Sequence, residues 1–202
     1  AHQLGTPVSA LLGWLDYLKN DNSNIEKILP EMESDIERLQ QVSRRFSKMG
    51  SKPEMEFFDL SKRIESVLSY LNRRIPTLEK KVDLVNDIDP DIKIMANGTL
   101  ISWTIENLIR NSIDSISGEA GLIRLSMNQD QNNVKIRISD NGCGVPKKDW
   151  KNIFRPGYSS KPRGWGLGLS LTKRIVEEIH GGSIKVLRSK PGKTVFRLNL
   201  PL

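Results

Sequence analysis

Apolar residues in the first quarter of the chain recur every three or four positions, which predicts two amphipathic helices. The first covers residues 4–18, with an expected kink at Pro7, and the second begins after the polar break Asn20–Asn24. Their apolar stripes exceed what one partner helix can cover, so we predict a hairpin that pairs with a second copy as a homodimeric four-helix bundle. The alternative is a hairpin packed on the rest of its own chain.

The pattern changes after the linker Gly50–Pro53, where helix-like and strand-like segments alternate. Helical spacing covers residues 60–75, 99–117 and 167–180, and strand-like runs cover 82–88, 92–96, 122–127, 134–139, 183–188 and 194–200. We therefore predict an α+β fold in which helices cover one face of a mainly antiparallel sheet. The predicted domains are the hairpin, residues 1–51, and the α+β domain, residues 52–202.

Charge and composition exclude several classes of protein. The formal charge is +7, but the 31 basic residues are dispersed among 24 acidic ones, so we expect no nucleic-acid partner. No apolar stretch is long enough to cross a bilayer, so any membrane attachment is expected ahead of residue 1. The single cysteine, Cys143, excludes an internal disulfide framework and suits a cytoplasmic location.

A carboxylate and two glycines, Asp140, Gly142 and Gly144, directly follow the strand predicted at 134–139. Glycines let a ligand approach the backbone closely. A buried carboxylate accepts a hydrogen bond from an amino group and repels a carbonyl oxygen, which favours adenine over guanine. The alternative is a type I′ hairpin turn at Asn141–Gly142.

A second glycine-rich segment, Gly164–Leu169, precedes the helix predicted at 167–180. Its backbone N–H groups and the positive end of that helix suit phosphates, and the preceding residues 154–161 are typical of a loop that closes over them. A long ordinary loop is the alternative.

Two asparagines, Asn107 and Asn111, lie four positions apart on one face of the helix predicted at 99–117. Their neutral amide oxygens suit a magnesium ion that is held mainly by phosphates and water. Isolated asparagine pairs are more often solvated, so this pair gains meaning from its place ahead of the two glycine-rich segments.

Taken in order, these segments resemble the conserved boxes of two-component sensor histidine kinases. The N, G1, F and G2 boxes correspond to Glu106–Ser112, Asp140–Gly144, Ile153–Pro156 and Gly164–Leu169, and His2–Pro7 resembles the H box. The resemblance implies a dimerising hairpin and a Bergerat-type ATP-binding domain. It also implies transfer of the ATP γ-phosphate to His2 and on to an aspartate of a response-regulator receiver domain.

The resemblance also implies roles for individual residues. Asp140 corresponds to the adenine-recognising carboxylate, Asn111 to the Mg²⁺ ligand and Asn107 to the other polar position on that helix. Thr194 lies where the family often has a threonine near adenine. The nucleotide loops correspond to Gly142, Gly144, Gly164, Gly166, Leu167 and Gly168. Independently of the family, Lys161 or Arg155 is a candidate for neutralising phosphate charge.

The chain departs from the family beside the acceptor. Gln3 stands where an acidic residue commonly accepts the proton, which puts strong kinase activity in question. Thr6 lies where the family orients water for dephosphorylating the regulator, so a phosphatase-dominant protein and a non-catalytic ATP-binding module are alternatives. Hydrolytic relatives carry a water-activating Glu at the position of Asn107, and Glu106 lies about 100° away around the helix.

Overall fold

The computed structural model describes residues 13–18, 25, 28–30, 32–33, 36, 53–75, 81–118, 120–160 and 166–202. The chain divides into two compact units, Ala1–Pro53 and Glu54–Leu202. In the first unit, every described residue up to 36 is helical. Ile28 is buried, whereas apolar side chains at neighbouring helical positions, including Ile25, Leu29 and Ile36, stay exposed. Within the described ranges, no helix is long and apolar enough to cross a membrane.

The second unit alternates helices and strands. Its described residues form β1 (Glu56–Asp59), α1 (Leu60–Arg74), β2 (Val82–Ile88), β3 (Lys93–Ala96), α2 (Gly98–Ser115), β4 (Gly121–Gln129), β5 (Asn133–Asp140), α3 (Gly168–Arg174), β6 (Ser183–Lys190) and β7 (Lys193–Pro201). Short 3-10 turns occupy Lys147–Asp149 and Asn152–Phe154, and a π-helical turn, Ile175–Ile179, continues α3.

Five of these strands form a mixed sheet in the order β2-β4-β5-β7-β6. β2 runs parallel to β4, and the remaining neighbours are antiparallel. β1 and β3 form a separate antiparallel ribbon. Side chains alternate along β5, with Val134, Ile136 and Ile138 fully buried on one face and Lys135 and Arg137 on the other. The predicted α+β fold is confirmed.

The helices cover the buried face of the sheet. In α1 the residues Leu60, Ile64, Leu68 and Leu71 recur at helical spacing and are buried, and α2 buries a similar stripe. Both helices begin at a side-chain cap. Asp59 accepts from the Lys62 N–H and Asn97 accepts from the Leu100 N–H, each at 3.0 Å.

Two details differ from the pattern-based expectation. The strand β1 was not predicted, because its four residues show no alternation and gain a partner only from β3, almost forty residues further on. The helix predicted at 167–180 is α-helical only as far as Arg174 and then widens into the π-helical turn.

Candidate functional site

The carboxylate of Asp140 lies at the end of β5, between Ile123 of β4 and Thr194 of β7. Its side chain is nearly covered, with 6% of the residue exposed. Oδ2 accepts a hydrogen bond from the Ser112 hydroxyl of α2 at 2.9 Å, and Oδ1 accepts one from the Gly142 N–H at 3.0 Å. The carboxylate is therefore fixed by the helix on one side and by its own turn on the other.

Burial raises the pKa of Asp140 above its ordinary value, while the hydrogen bonds from Gly142, Ser112 and Ser115 pull the pKa the other way. The donors replace part of the water that burial removes, and the net result is a pKa above the ordinary value. A buried acid of this kind, placed at a strand end beside glycines, marks a candidate binding site.

The two glycines that follow Asp140 permit close packing of the turn. A Cβ on Gly142 would stand 1.9 Å from the Ser115 Oγ. A Cβ on Gly144, whose φ is +82°, would meet the Lys190 carbonyl carbon at 2.6 Å. The alternative of a type I′ hairpin turn is wrong, because such a turn needs positive φ at Asn141 and Gly142, and β5 pairs with β4 and β7 instead.

Asn107 connects helix α2 to the second glycine-rich segment. Its Nδ2 donates to the Thr172 Oγ1 of α3 at 2.9 Å. At the start of α3, a Cβ on Gly168 would stand 2.6 Å from the Asn107 Oδ1. Gly166 has a φ of +64° and packs against the backbone of Gly157 and Tyr158, so an alanine there would meet main-chain atoms. Leu167 is buried between these glycines.

Asn111, one turn further along α2, is half-buried, and its Nδ2 is buried without a hydrogen-bond partner among the described residues. The described part of the chain holds no cluster of three or more His, Cys, Asp or Glu side chains suited to a metal ion. A single neutral amide oxygen fits a magnesium ion that arrives with phosphates, and it does not fit a resident ion held by protein alone.

Thr194 is buried beside Asp140, and its Oγ1 lies 3.0 Å from the Ser189 Oγ. The Ser189 Oγ accepts from the Val145 N–H at 2.7 Å, so its hydroxyl hydrogen is available for Thr194. Thr194 then keeps its own hydroxyl hydrogen for another acceptor.

The structure thus brings Asp140, Gly142 and Thr194 together at one strand end, and Asn107 and Gly168 together at the facing helix. Other candidate residues lie outside the described residues: His2, Gln3, Thr6, Lys161 and Gly164. The hydroxyls that organise the site were not among the predicted residues: they belong to Ser112, Ser115, Thr172 and Ser189. The only available signal was that Ser112 and Ser115 are small polar residues on the apolar side of α2.

His180 lies away from these residues, at the other end of α2. It is the C-cap of the π-helical turn Ile175–Ile179, and Gly181 follows with a φ of +63°, as is common after a helix end. Only 8% of His180 is exposed.

The family follows from comparison with known proteins. A family described as "Histidine kinase-, DNA gyrase B-, and HSP90-like ATPase" matches residues 97–202, which run from the N-cap of α2 to Leu202 and make up just over half of the chain. The chain belongs to this ATPase family. Asp140, both asparagines of α2 and the glycine-rich turns all lie within the matched span.

Curated relatives show which kind of protein in this ATPase family the chain resembles. Sporulation kinase B of Bacillus subtilis is 29% identical over 211 residues, covering 100% of this chain and 48% of that protein. The signal transduction histidine-protein kinase AtoS of Escherichia coli is also 29% identical, with 100% of this chain and 34% of AtoS covered. The chain therefore spans about half or less of these curated relatives. The inferred membership of the two-component sensor histidine kinases is confirmed, as is an ATP-binding domain.

Solved structures agree with the fold. The catalytic domain of histidine kinase ThkA, in a nucleotide-free form, is 28% identical, with a TM-score of 0.66 over 73% of this chain and 95% of that one. The histidine kinase AdeS of Acinetobacter baumannii, 22% identical, covers 100% of this chain and 98% of its own, with a TM-score of 0.72. At that identity AdeS supports the fold alone.

Proposed function

We propose that this chain is the kinase part of a protein that transfers the γ-phosphate of ATP to His2 and then to an aspartate of a response-regulator receiver domain. In the first step an imidazole nitrogen attacks the γ-phosphorus. An N–P bond forms, the bond to the bridging oxygen of ADP breaks, and the imidazole N–H proton passes to a base. In the second step the phosphoryl group moves to the regulator's carboxylate and the imidazole is restored.

The observation that carries the proposal is the amide at position 107. Hydrolytic ATPases of this fold place a water-activating glutamate there, whereas the Asn107 Nδ2 donates to Thr172 and an amide does not take up the proton. The neighbouring carboxylate of Glu106 is engaged by Arg110 at 2.9 Å. With no free base at this position, a bound nucleotide is better suited to phosphoryl donation than to hydrolysis.

The described residues suit a bound nucleotide. Asp140 would accept a hydrogen bond from the adenine amino group, and Gly166 and Gly168 would let phosphates approach the backbone. Magnesium, when bound, neutralises phosphate charge, and the Asn111 amide oxygen would hold it. Lys161 or Arg155 would add positive charge at the phosphates.

The balance between kinase and phosphatase activity depends on two residues near the acceptor. Gln3 does not take up the proton released by His2, which favours slow autophosphorylation. Thr6 lies four residues after His2 and would orient water for removing the phosphoryl group from the regulator. A phosphatase-dominant enzyme is therefore the second candidate, and a module that binds ATP without chemistry is the third.

Two partners belong to the proposal. A second copy of the chain would cover Leu15, Ile25, Leu29 and Ile36, which are exposed in the single chain. The other partner is a receiver domain, since histidine kinase ThkA was crystallised with response regulator TrrA.

The test is incubation with γ-labelled ATP and Mg²⁺ of the wild type and of the variants His2→Ala, Gln3→Glu and Glu106→Gln. Acid-labile label on the wild type that is absent from His2→Ala identifies the acceptor. Label that is absent from the wild type but present on Gln3→Glu assigns the weak step to Gln3.

Two results would contradict the proposal. Label that persists on His2→Ala excludes His2 as the acceptor. Release of inorganic phosphate that requires Glu106 would indicate a hydrolase, because the account gives Glu106 only a contact with Arg110.

A further inference from the structure

The carboxylate of Asp140 has unequal hydrogen-bond partners on its two oxygens. Oδ1 accepts from the Gly142 N–H, whereas Oδ2 accepts only from the Ser112 hydroxyl among the described residues. Ser115 also approaches Oδ1, at 3.4 Å. The Ser115 Oγ lies closer to the Ser112 carbonyl oxygen, at 2.8 Å, and donates its single hydrogen there, so Ser115 contributes weakly to the carboxylate.

We propose that Ser112 is a positioning residue for nucleotide recognition, whose hydroxyl keeps Asp140 ionised and leaves one side of Oδ2 open to the amino group of the base. This inference rests on the proposed function. An ionised carboxylate has about four acceptor sites, and Ser112 fills one of the two on Oδ2. The site that remains suits a single N–H donor such as the adenine amino group.

The surroundings of Asp140 explain why a hydroxyl is needed. Among the described residues, the elements packed against it present no titratable side chain: α2 presents Ser112 and Ser115, β4 presents Ile123 and β7 presents Thr194. Burial raises the pKa of Asp140, and only hydrogen bonds oppose that effect. Because no described side chain places a cation beside Asp140, loss of the Ser112 donor shifts the carboxylate towards its protonated form.

Protonation would damage recognition directly. A protonated carboxyl carries an O–H donor where the base amino group also donates, and the two donors repel. Nucleotide binding by a Ser112→Ala variant should therefore compete with proton uptake. At pH values well below the pKa of Asp140 in the variant, this competition weakens nucleotide affinity by about tenfold for each pH unit.

The experiment measures the dissociation constant of a non-hydrolysable β,γ-imido ATP analogue with Mg²⁺, by calorimetry, between pH 6 and pH 8. The wild type is compared with Ser112→Ala and with the matched control Ser102→Ala, a serine of the same helix whose hydroxyl donates to the Gly98 carbonyl at 2.8 Å. The ratio of variant to wild-type constants cancels the titration of the analogue's own phosphates. We expect the ratio for Ser112→Ala to rise about fivefold or more towards pH 6, and the ratio for Ser102→Ala to stay within about twofold.

A ratio for Ser112→Ala that is the same at every pH would overturn the inference, because a merely structural role weakens binding uniformly. An equal pH dependence for Ser102→Ala would also overturn it. In both cases the wild type still binds the analogue, and the proposed function stands. A wild type that binds no analogue at any pH would refute the proposed function and this inference together.

Discussion

A buried titratable side chain meets helix α2 at each of its ends, and the two differ in what their hydrogen bonds leave free. At the N-terminal end, the His180 Nε2 accepts from the Asn97 N–H at 3.0 Å, and Nδ1 lies 2.7 Å from the Ile175 carbonyl oxygen, to which it donates. Both ring nitrogens are used. At the C-terminal end, Asp140 keeps acceptor capacity on Oδ2. Burial alone does not mark a site; unfilled hydrogen-bonding capacity does.

The energetic consequences of burial are opposite at the two ends. Burial lowers the pKa of His180, which favours the neutral ring whose Nε2 can accept from the Asn97 N–H. Burial raises the pKa of Asp140, so the ionised form needed for recognition costs stability when no ligand is bound. His180 therefore serves the fold, whereas the role proposed for Asp140 is to bind the ligand.

The largest effect is expected for Gly142→Ala, at the Asp140 end. The added Cβ would stand 1.9 Å from the Ser115 Oγ and 2.8 Å from the Ser115 carbonyl oxygen, so the turn must move. We expect the free energy of unfolding to fall by about 3 kcal/mol and nucleotide affinity to fall at least tenfold. Urea unfolding and calorimetry measure the two effects.

Gly118→Ala is the matched control for that variant, since nothing lies within 4 Å of its added Cβ. Its stability and affinity should match those of the wild type. A Gly142→Ala protein that binds nucleotide like the control would show that the turn does not hold the carboxylate in place.

At the other end, His180→Leu should lower the free energy of unfolding by about 2 kcal/mol, because the Asn97 N–H and the Ile175 carbonyl lose their partner. Nucleotide affinity of the folded variant should be unchanged.

Asp140→Asn should behave in the opposite way. Its free energy of unfolding should equal or exceed that of the wild type, and its nucleotide affinity should fall. If His180→Leu also loses nucleotide affinity, the contrast between a structural His180 and a ligand-binding Asp140 is wrong.

A smaller effect should appear in the pH dependence of stability. Because the pKa of His180 is lower in the folded state than its ordinary value of 6.5, the unfolded chain binds the proton more readily. The contribution of neutral His180 to the free energy of unfolding is complete above about pH 6.5. It is lost as the pH falls towards the pKa of His180 in the folded state, by at most about 1.4 kcal/mol per pH unit. Urea unfolding at pH 5, 6 and 7 should show this loss in the wild type and a smaller one in His180→Leu. Equal slopes would exclude His180 as its source.

At both ends of α2, local features can be predicted from the sequence, whereas contacts between distant residues cannot. The strands that carry Asp140 and Thr194 follow from alternation, because a half-buried strand repeats every two residues. The C-cap at His180 follows from Gly181, since a helix end favours positive φ. Contacts set by tertiary packing, such as Ser112 with Asp140 or Asn97 with His180, join residues 28 and 83 positions apart and have no local pattern.

The most direct test of adenine recognition by Asp140 compares the binding of ATP and of inosine triphosphate, which has a carbonyl oxygen in place of the amino group. The wild type should prefer ATP by about a hundredfold, because the carboxylate accepts from the amino group and repels the carbonyl. In Asp140→Asn the preference should disappear or reverse, because the amide also donates to a carbonyl. An Asp140→Asn protein that keeps the wild-type affinity for ATP and the wild-type preference would contradict the account.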